Sequence, residues 1–226
     1  MAIIPLPGTV QAAAAGLSGF DVNSILSADQ AQDFKNAGYD FCIRYVPRTQ
    51  QALDNSDTNI TNAEAIDILN AGLALMAVQH VADEGWSPTA DLGTAYGTFG
   101  ASYASDTVGL PAGMNLWLDL EGVANGTPTQ DVIDYCQAWY HAVKAAGYVP
   151  GVYVGWDAGL NAQQLYQNLS FQHYWQAYNG GGVAVRGYQL VQALQKTLNG
   201  LDYDPDTTQN DNKGGTVLWL STGIPA

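Results

Sequence analysis

Asn115-Leu116-Trp117-Leu118-Asp119-Leu120-Glu121 reads as a buried apolar strand that ends in two carboxylates. Side chains on a strand alternate faces, so Asp119 and Glu121 project from the same face at its C-terminal end. Carboxyl groups held close together cannot both ionise freely, so one of them tends toward a raised pKa, which suits a general acid. Glycosidic bond cleavage asks for such a pair.

Outward from that strand, β-rich apolar runs alternate with helical patterns. Runs at 17–23, 41–46 and 73–79 precede it, and runs at 149–155, 174–178, 187–192 and 201–204 follow. Residues 217–220 form a last strand or a packed arm. Helices are expected from an N-cap at Ser27 to Asn36, from a capping box at Thr61-Asn62-Ala63-Glu64 to Gly72, over 88–103, from Pro128 to Gly147, and over 161–168. Alternation of this kind implies βαβ units and a parallel sheet. About eight strands imply an α/β barrel of the (β/α)8 TIM type. Only Asn179-Gly180-Gly181-Gly182 separates the sixth and seventh runs, too little for a helical crossover. The expectation is therefore an irregular barrel with late helices missing and hairpin-like late strand pairs. Residues 1–16 read as an N-terminal arm and 17–226 as a single barrel domain.

Composition narrows the function. A net charge of −14 argues against nucleic acid and against anionic membrane surfaces. No segment has the roughly 20 apolar residues that span a bilayer, so no membrane insertion is expected. The N-terminus lacks the basic region of a secretory signal, which leaves localisation open, delivery to a cell wall included. Oligomeric state stays open too. Cys42 and Cys136 lack metal-ligand spacing and read as buried free thiols, and no metal or organic cofactor is expected. Thirteen Tyr and six Trp against seven Lys and Arg provide flat apolar surface, suited to a core and to sugar rings.

In such barrels the active site lies at the C-terminal ends of the strands. Polar side chains gather there: Asp21 and Asn23, Arg44 and Tyr45, Gln79 and His80, Asp119 and Glu121, Tyr153 and Trp156. Later strands add Trp175, Gln176 and Tyr178, then Gln189 and Gln192, then Asp202 and Asp204. Taken singly, each has a plainer role. Asp119 and Glu121 also fit helix capping or pairing with Arg44, Asp202 and Asp204 a solvated turn, and His80 a hydrogen-bonded rim residue.

Four segments together resemble glycoside hydrolase family 25, the N-acetylmuramidases or lysozymes of an irregular barrel type: Gly19-Phe20-Asp21-Val22, Leu118-Asp119-Leu120-Glu121, Gly151-Val152-Tyr153 and Gly200-Leu201-Asp202-Tyr203-Asp204. Ala37-Gly38-Tyr39-Asp40-Phe41-Cys42-Ile43-Arg44 is similar to that family's second-strand entry. The chain is closer still to a glycoside-hydrolase-like domain of unknown function related to those lysozymes. The resemblance spans about residues 17–205. It implies that Glu121 is the proton donor, with Asp119, Asp21 and Asp202 as supporting carboxylates. One of these would activate water or assist an acetamido group. It further implies a sugar-binding wall of Tyr153, Trp175 and Tyr178; Gln79, Gln189 and Arg44 are further substrate-binding candidates. The substrate would be a polysaccharide with N-acetylated sugars, peptidoglycan above all. The competing expectation is a non-catalytic glycan-binding or structural barrel, because a fold does not fix an activity. Val78-Gln79-His80 departs from the lysozymes' third-strand segment, and Asp202-Tyr203-Asp204-Pro205-Asp206 is richer in acid than theirs.

Overall fold

The computed structural model describes residues 3–56 and 58–223. The chain runs β1 (Thr9–Ala12), β2 (Ser18–Val22), α1 (Ala28–Asn36), β3 (Phe41–Val46), α2 (Gln50–Asp54), α3 (Asn62–Asn70) and β4 (Ala74–Gln79). Next come α4 (Ala90–Tyr103), which passes into a π-helical turn at Ala104–Val108, β5 (Asn115–Leu120), α5 (Thr129–Ala145), β6 (Val149–Val154) and α6 (Ala162–Gln167). The last elements are β7 (His173–Gln176), β8 (Leu190–Gln192), β9 (Lys196–Leu198), β10 (Leu201–Thr208) and β11 (Leu218–Ser221).

Strands β2 to β8 pair in parallel, neighbour to neighbour. β10 closes the ring by pairing antiparallel with both β8 and β2. The result is a closed eight-stranded barrel with one reversed member. β1 and β11 pair with each other, and β11 reaches β4 at Leu75, on the side where the parallel strands begin. The N-terminal arm thus carries a strand that the sequence pattern does not announce.

The late crossovers differ from expectation. β7 and β8 are parallel, not a hairpin. β8 begins at Leu190 rather than 187, so residues 177–189 complete the link in turns without a helix. The hairpin lies one step later, between β9 and β10. α5 starts at Thr129 with Pro128 as its cap residue. Thr61 caps α3 through the Glu64 N–H, but the Glu64 side chain does not return to close a capping box. It turns to the Leu26 N–H and to Arg44 instead, because a buried guanidinium is the stronger claim on a carboxylate.

The barrel wall is apolar on both faces, as parallel sheets covered by helices must be. Phe20, Val22, Cys42, Leu75, Leu118 and Val152 face the helices, while Phe41, Ile43, Met76, Trp117, Trp175 and Leu190 fill the lumen together with Trp219 from β11. Two glycines make that filling possible. A Cβ on Gly19 would lie 2.3 Å from the Phe41 ring, and one on Gly151 2.3 Å from the Trp117 indole. Each glycine is the register partner of the aromatic on the next strand. Large and small residues therefore interlock across neighbouring strands, as close packing requires. Cys42 and Cys136 are both buried free thiols.

Candidate active site

Above the aromatic floor, the lumen turns acidic. Asp21 from β2, Asp119 from β5 with Glu121 just beyond it, and Asp204 and Asp206 from β10 share the face of the barrel where the parallel strands end. Asp21 and Asp204 are direct register partners, with Asp206 one pair further in, opposite Gly19. Because β10 runs against its neighbours, its early residues reach this face, and the alternation of a strand sends Asp204 and Asp206 to the same side.

Three of these acids are almost wholly enclosed: Asp21, Asp119 and Asp206 are 2%, 5% and 2% exposed. Asp21 is held by the Tyr45 hydroxyl at 2.9 Å and by the Gln192 amide at 2.8 Å. Gln192 in turn accepts from Tyr153 at 3.0 Å. Asp206 accepts from the Trp175 indole N–H at 2.8 Å, and its other oxygen has no donor among the described residues. Asp206 and Asp21 lie close enough that charging both is unfavourable, which favours a proton on one of the two. The Val81 backbone lies close enough to Asp119 to pull its pKa back a little, and Oδ1 has no hydrogen-bond partner among the described residues.

Burial dominates the electrostatics. It lifts Asp21 to about 7, with Asp204 adding repulsion and the Gln192 and Tyr45 bonds pulling back. Burial pushes Asp119 well above the ordinary carboxylate range, and the charges of Glu121 and Asp21 push it further. Asp206 is raised by burial and by Asp21. Glu121 is raised by burial and by Asp204. Among the described residues, no Lys or Arg forms an ion pair with any of the five.

Glu121 is the member of the group built to face outward. It is only half-buried, and among the described residues its carboxyl accepts no hydrogen bond. Its backbone is fixed from two sides: the Trp86 indole donates to its carbonyl at 2.9 Å, and the Gly155 N–H bonds Leu120 at 3.0 Å. A Cβ on Gly155 would lie 2.2 Å from Glu121 Oε2, so only glycine leaves the carboxyl its place beside β6. Trp86 itself packs edge-on against Tyr135 at 4.9 Å, so it braces Glu121 rather than covering a groove.

Around the acids, the aromatic residues divide. Trp175 is enclosed, edge-to-face with Trp117 at 6.0 Å and Tyr153 at 4.6 Å, so it forms floor rather than open wall. Tyr153 is half-buried at the mouth. Tyr178 and Trp156 are each about half exposed, at 51% and 50%. Trp156 borders a cavity of about 690 Å³ that also takes in Gly155, Leu160 and Gly181.

Four candidate residues lie elsewhere. Arg44 points out of the lumen, fully enclosed, and bonds Glu64 at 2.6 Å and the Thr58 carbonyl at 2.8 Å. Gln79, on the same outward parity, joins the barrel to its helices by donating to the Tyr96 carbonyl at 2.7 Å and accepting from Trp139 at 2.7 Å. Gln189 precedes β8, at the opposite end of the barrel, where it bonds the Tyr174 N–H and Asp211. Asp202 stands one strand pair beyond Asp204, exposed, and accepts from Thr197 in the β9–β10 hairpin. Asp206, Gly155 and Val81 join the site in their place. Only Asp206 carried a sequence signal, the i, i+2 spacing of Asp202, Asp204 and Asp206.

A sequence model described as the Rv2525c-like glycoside hydrolase-like domain matches residues 32–207. The chain belongs to that family. Two solved structures share the fold of this Rv2525c-like domain. One is the Mycobacterium tuberculosis Tat-secreted protein Rv2525c, in complex with HEPES, at 18% identity and a TM-score of 0.63, covering 86% of this chain and 95% of that one. The other is a family 25 glycosyl hydrolase from Bacillus anthracis, at 12% identity and a TM-score of 0.56, covering 88% and 91%. No curated protein matches the chain.

Proposed function

We propose that this Rv2525c-like domain is a glycoside hydrolase acting on a polysaccharide with N-acetylated sugars, peptidoglycan foremost. The observation that carries the reading is Glu121: half-buried, raised in pKa, without a partner for its carboxyl among the described residues, and braced so that it stays at the mouth. A carboxyl group in this state keeps its proton nearer neutrality and delivers it to the glycosidic oxygen as the C–O bond breaks. Positive charge then grows on the sugar ring. Asp21, lifted to about 7, is the neighbour that sheds its proton near neutrality and then offsets that charge, with Asp204, its register partner, in the supporting role first read for Asp202. A water molecule, or the substrate's own acetamido oxygen, completes the displacement. Trp156, Tyr153 and Tyr178 supply the faces on which sugar rings stack.

A second reading, a barrel that binds glycan without cutting it, is favoured by one observation. Both oxygens of Asp21 already have protein donors, so that carboxylate is internally satisfied. One experiment separates the two. Purified peptidoglycan is incubated with the protein and with Glu121→Gln, and soluble fragments are identified by mass. Catalysis releases muropeptide-sized fragments with new reducing ends, in the wild-type sample alone. Retention on the glycan with no fragments from either protein rejects hydrolysis in favour of binding.

A further inference from the structure

Beside the acid cluster, a second cavity of about 370 Å³ opens on the same face, bordered by Asn23, Arg48, Thr49, Asn55, His80 and Asp83. Arg48 is the informative member. The chain has only seven Lys and Arg residues against 21 acids. Arg44 and Arg186 are committed to Glu64 and Asp211, and Lys35 to Asp40. Arg48 is held by one arm, donating through Nη1 to the Val81 carbonyl. Its other charged contact is Asp83 at 3.7 Å, whose side chain is fully exposed. Such a pair is weak and readily exchanged. Among the described residues the guanidinium makes no further hydrogen bond, and Arg48 borders the cavity.

The same residue ties this cavity to the acids. The Val81 backbone lies beside Asp119 while its carbonyl holds Arg48. His80 forms the partition, its ring 4.6 Å from that of Tyr45, whose hydroxyl holds Asp21. Burial first, then Arg44 and Arg48, lowers His80 to about 4, so the imidazole is neutral and Arg48 is the positive group that this wall presents.

We infer that this cavity is a subsite for a carboxylate carried by the glycan, and that Arg48 is the specificity-determining residue that reads it. The inference rests on the proposed glycan reading and names the substrate class more narrowly. A planar guanidinium matches a carboxylate in a two-pronged bond. On a chain with a net charge of −14, an anionic sugar gains from a local cation. Two sources share this chemistry: a uronic acid, and an acidic ether substituent such as the lactyl group of muramic acid.

The test uses the full chain carrying Glu121→Gln, so that ligands stay intact, and calorimetry with three oligosaccharides of equal length. One is a neutral N-acetylglucosamine oligomer, one carries lactyl ethers and one carries uronates. An acidic oligomer is expected to bind about tenfold more tightly than the neutral one, the range of a charge-assisted hydrogen bond. Which acid gains identifies the source. Adding Arg48→Gln brings its affinity down to the neutral level, and Arg48→Lys, which keeps charge but not the fork, restores part of the preference. Equal affinity of all three, equal weakening of all three by Arg48→Gln, or no binding at all overturns the subsite. Turnover by the otherwise unaltered chain is scored separately. Acid preference without cleavage removes the catalytic reading and keeps the subsite, whereas cleavage blind to the carboxylate does the reverse.

Discussion

Outside the barrel wall, Glu64 meets Arg44 at 2.6 Å, with side chains 2% and 0% exposed. Inside the wall, Asp21, Asp119 and Asp206 are sealed almost as tightly, yet among the described residues no cation pairs with them. The same kind of side chain, at the same depth, meets two opposite solutions to the cost of burial. On the outer face a guanidinium neutralises the carboxylate, and two backbone carbonyls and the Leu26 N–H satisfy what remains. On the inner face, protons take the cation's place, and the pKa values rise. The first arrangement fixes the wall. The second keeps proton-holding groups inside the lumen, just below the half-buried Glu121, at the expense of stability above neutral pH.

The contrast is open to breaking. The largest effect belongs to Glu121→Gln. Loss of a general acid lowers turnover by about 10²- to 10⁴-fold, while the melting temperature stays level or rises, since an uncompensated acid has been removed. Full turnover with the amide in place rejects Glu121 as the donor. On the outer face, Glu64→Ala strands a buried guanidinium and is expected to cost roughly 3–5 kcal/mol. Denaturant unfolding would register it, and a loss under about 1 kcal/mol would mean that water reaches Arg44.

The pH dependence tests the inner face. Asp21 has its folded pKa raised from 3.8 to about 7, so the native state binds the extra proton. Its stabilising contribution is full below the unfolded value and is lost as pH rises through the folded one. The melting temperature should therefore decline between about pH 4 and pH 7. Asp21→Asn should flatten that decline and melt higher than wild type at pH 8.5. A profile identical to wild type would show that Asp21 is not the titrating group. The smallest effect is expected at the rim. Trp156→Ala removes a stacking surface worth about 0.5–1.5 kcal/mol, which raises KM about two- to tenfold with kcat nearly constant. A fall in kcat alone would place Trp156 among the groups acting in the transition state.

Much of this was legible in the sequence. The alternation in Leu116–Glu121 placed both acids on one face, and the spacing of apolar runs implied the barrel and its irregular end. Gly19 and Gly151, quoted there as motif residues, turn out to seat Phe41 and Trp117. Arg44 and Gln79 were misplaced for a physical reason. β3 and β4 are buried almost throughout, so their sequences carry no polar face to say which parity looks inward. The choice of Asp202 over Asp206 failed because it depends on strand direction. In a parallel β10 the last acids would lie at the mouth in reverse order, and only closure of the ring by an antiparallel strand brings Asp204 opposite Asp21.

Local pattern, then, determined what a short segment can decide alone: strand periodicity, helix caps at Ser27 and Thr61, and two carboxylates two residues apart. Tertiary structure decided what needs a partner from far along the chain. It paired Arg44 with Glu64 outside the wall, set Asp206 beside Asp21, and placed Val81 next to Asp119 with its carbonyl on Arg48. The reason is that charge and burial are properties of the space around a group, and that space is assembled only when the barrel closes.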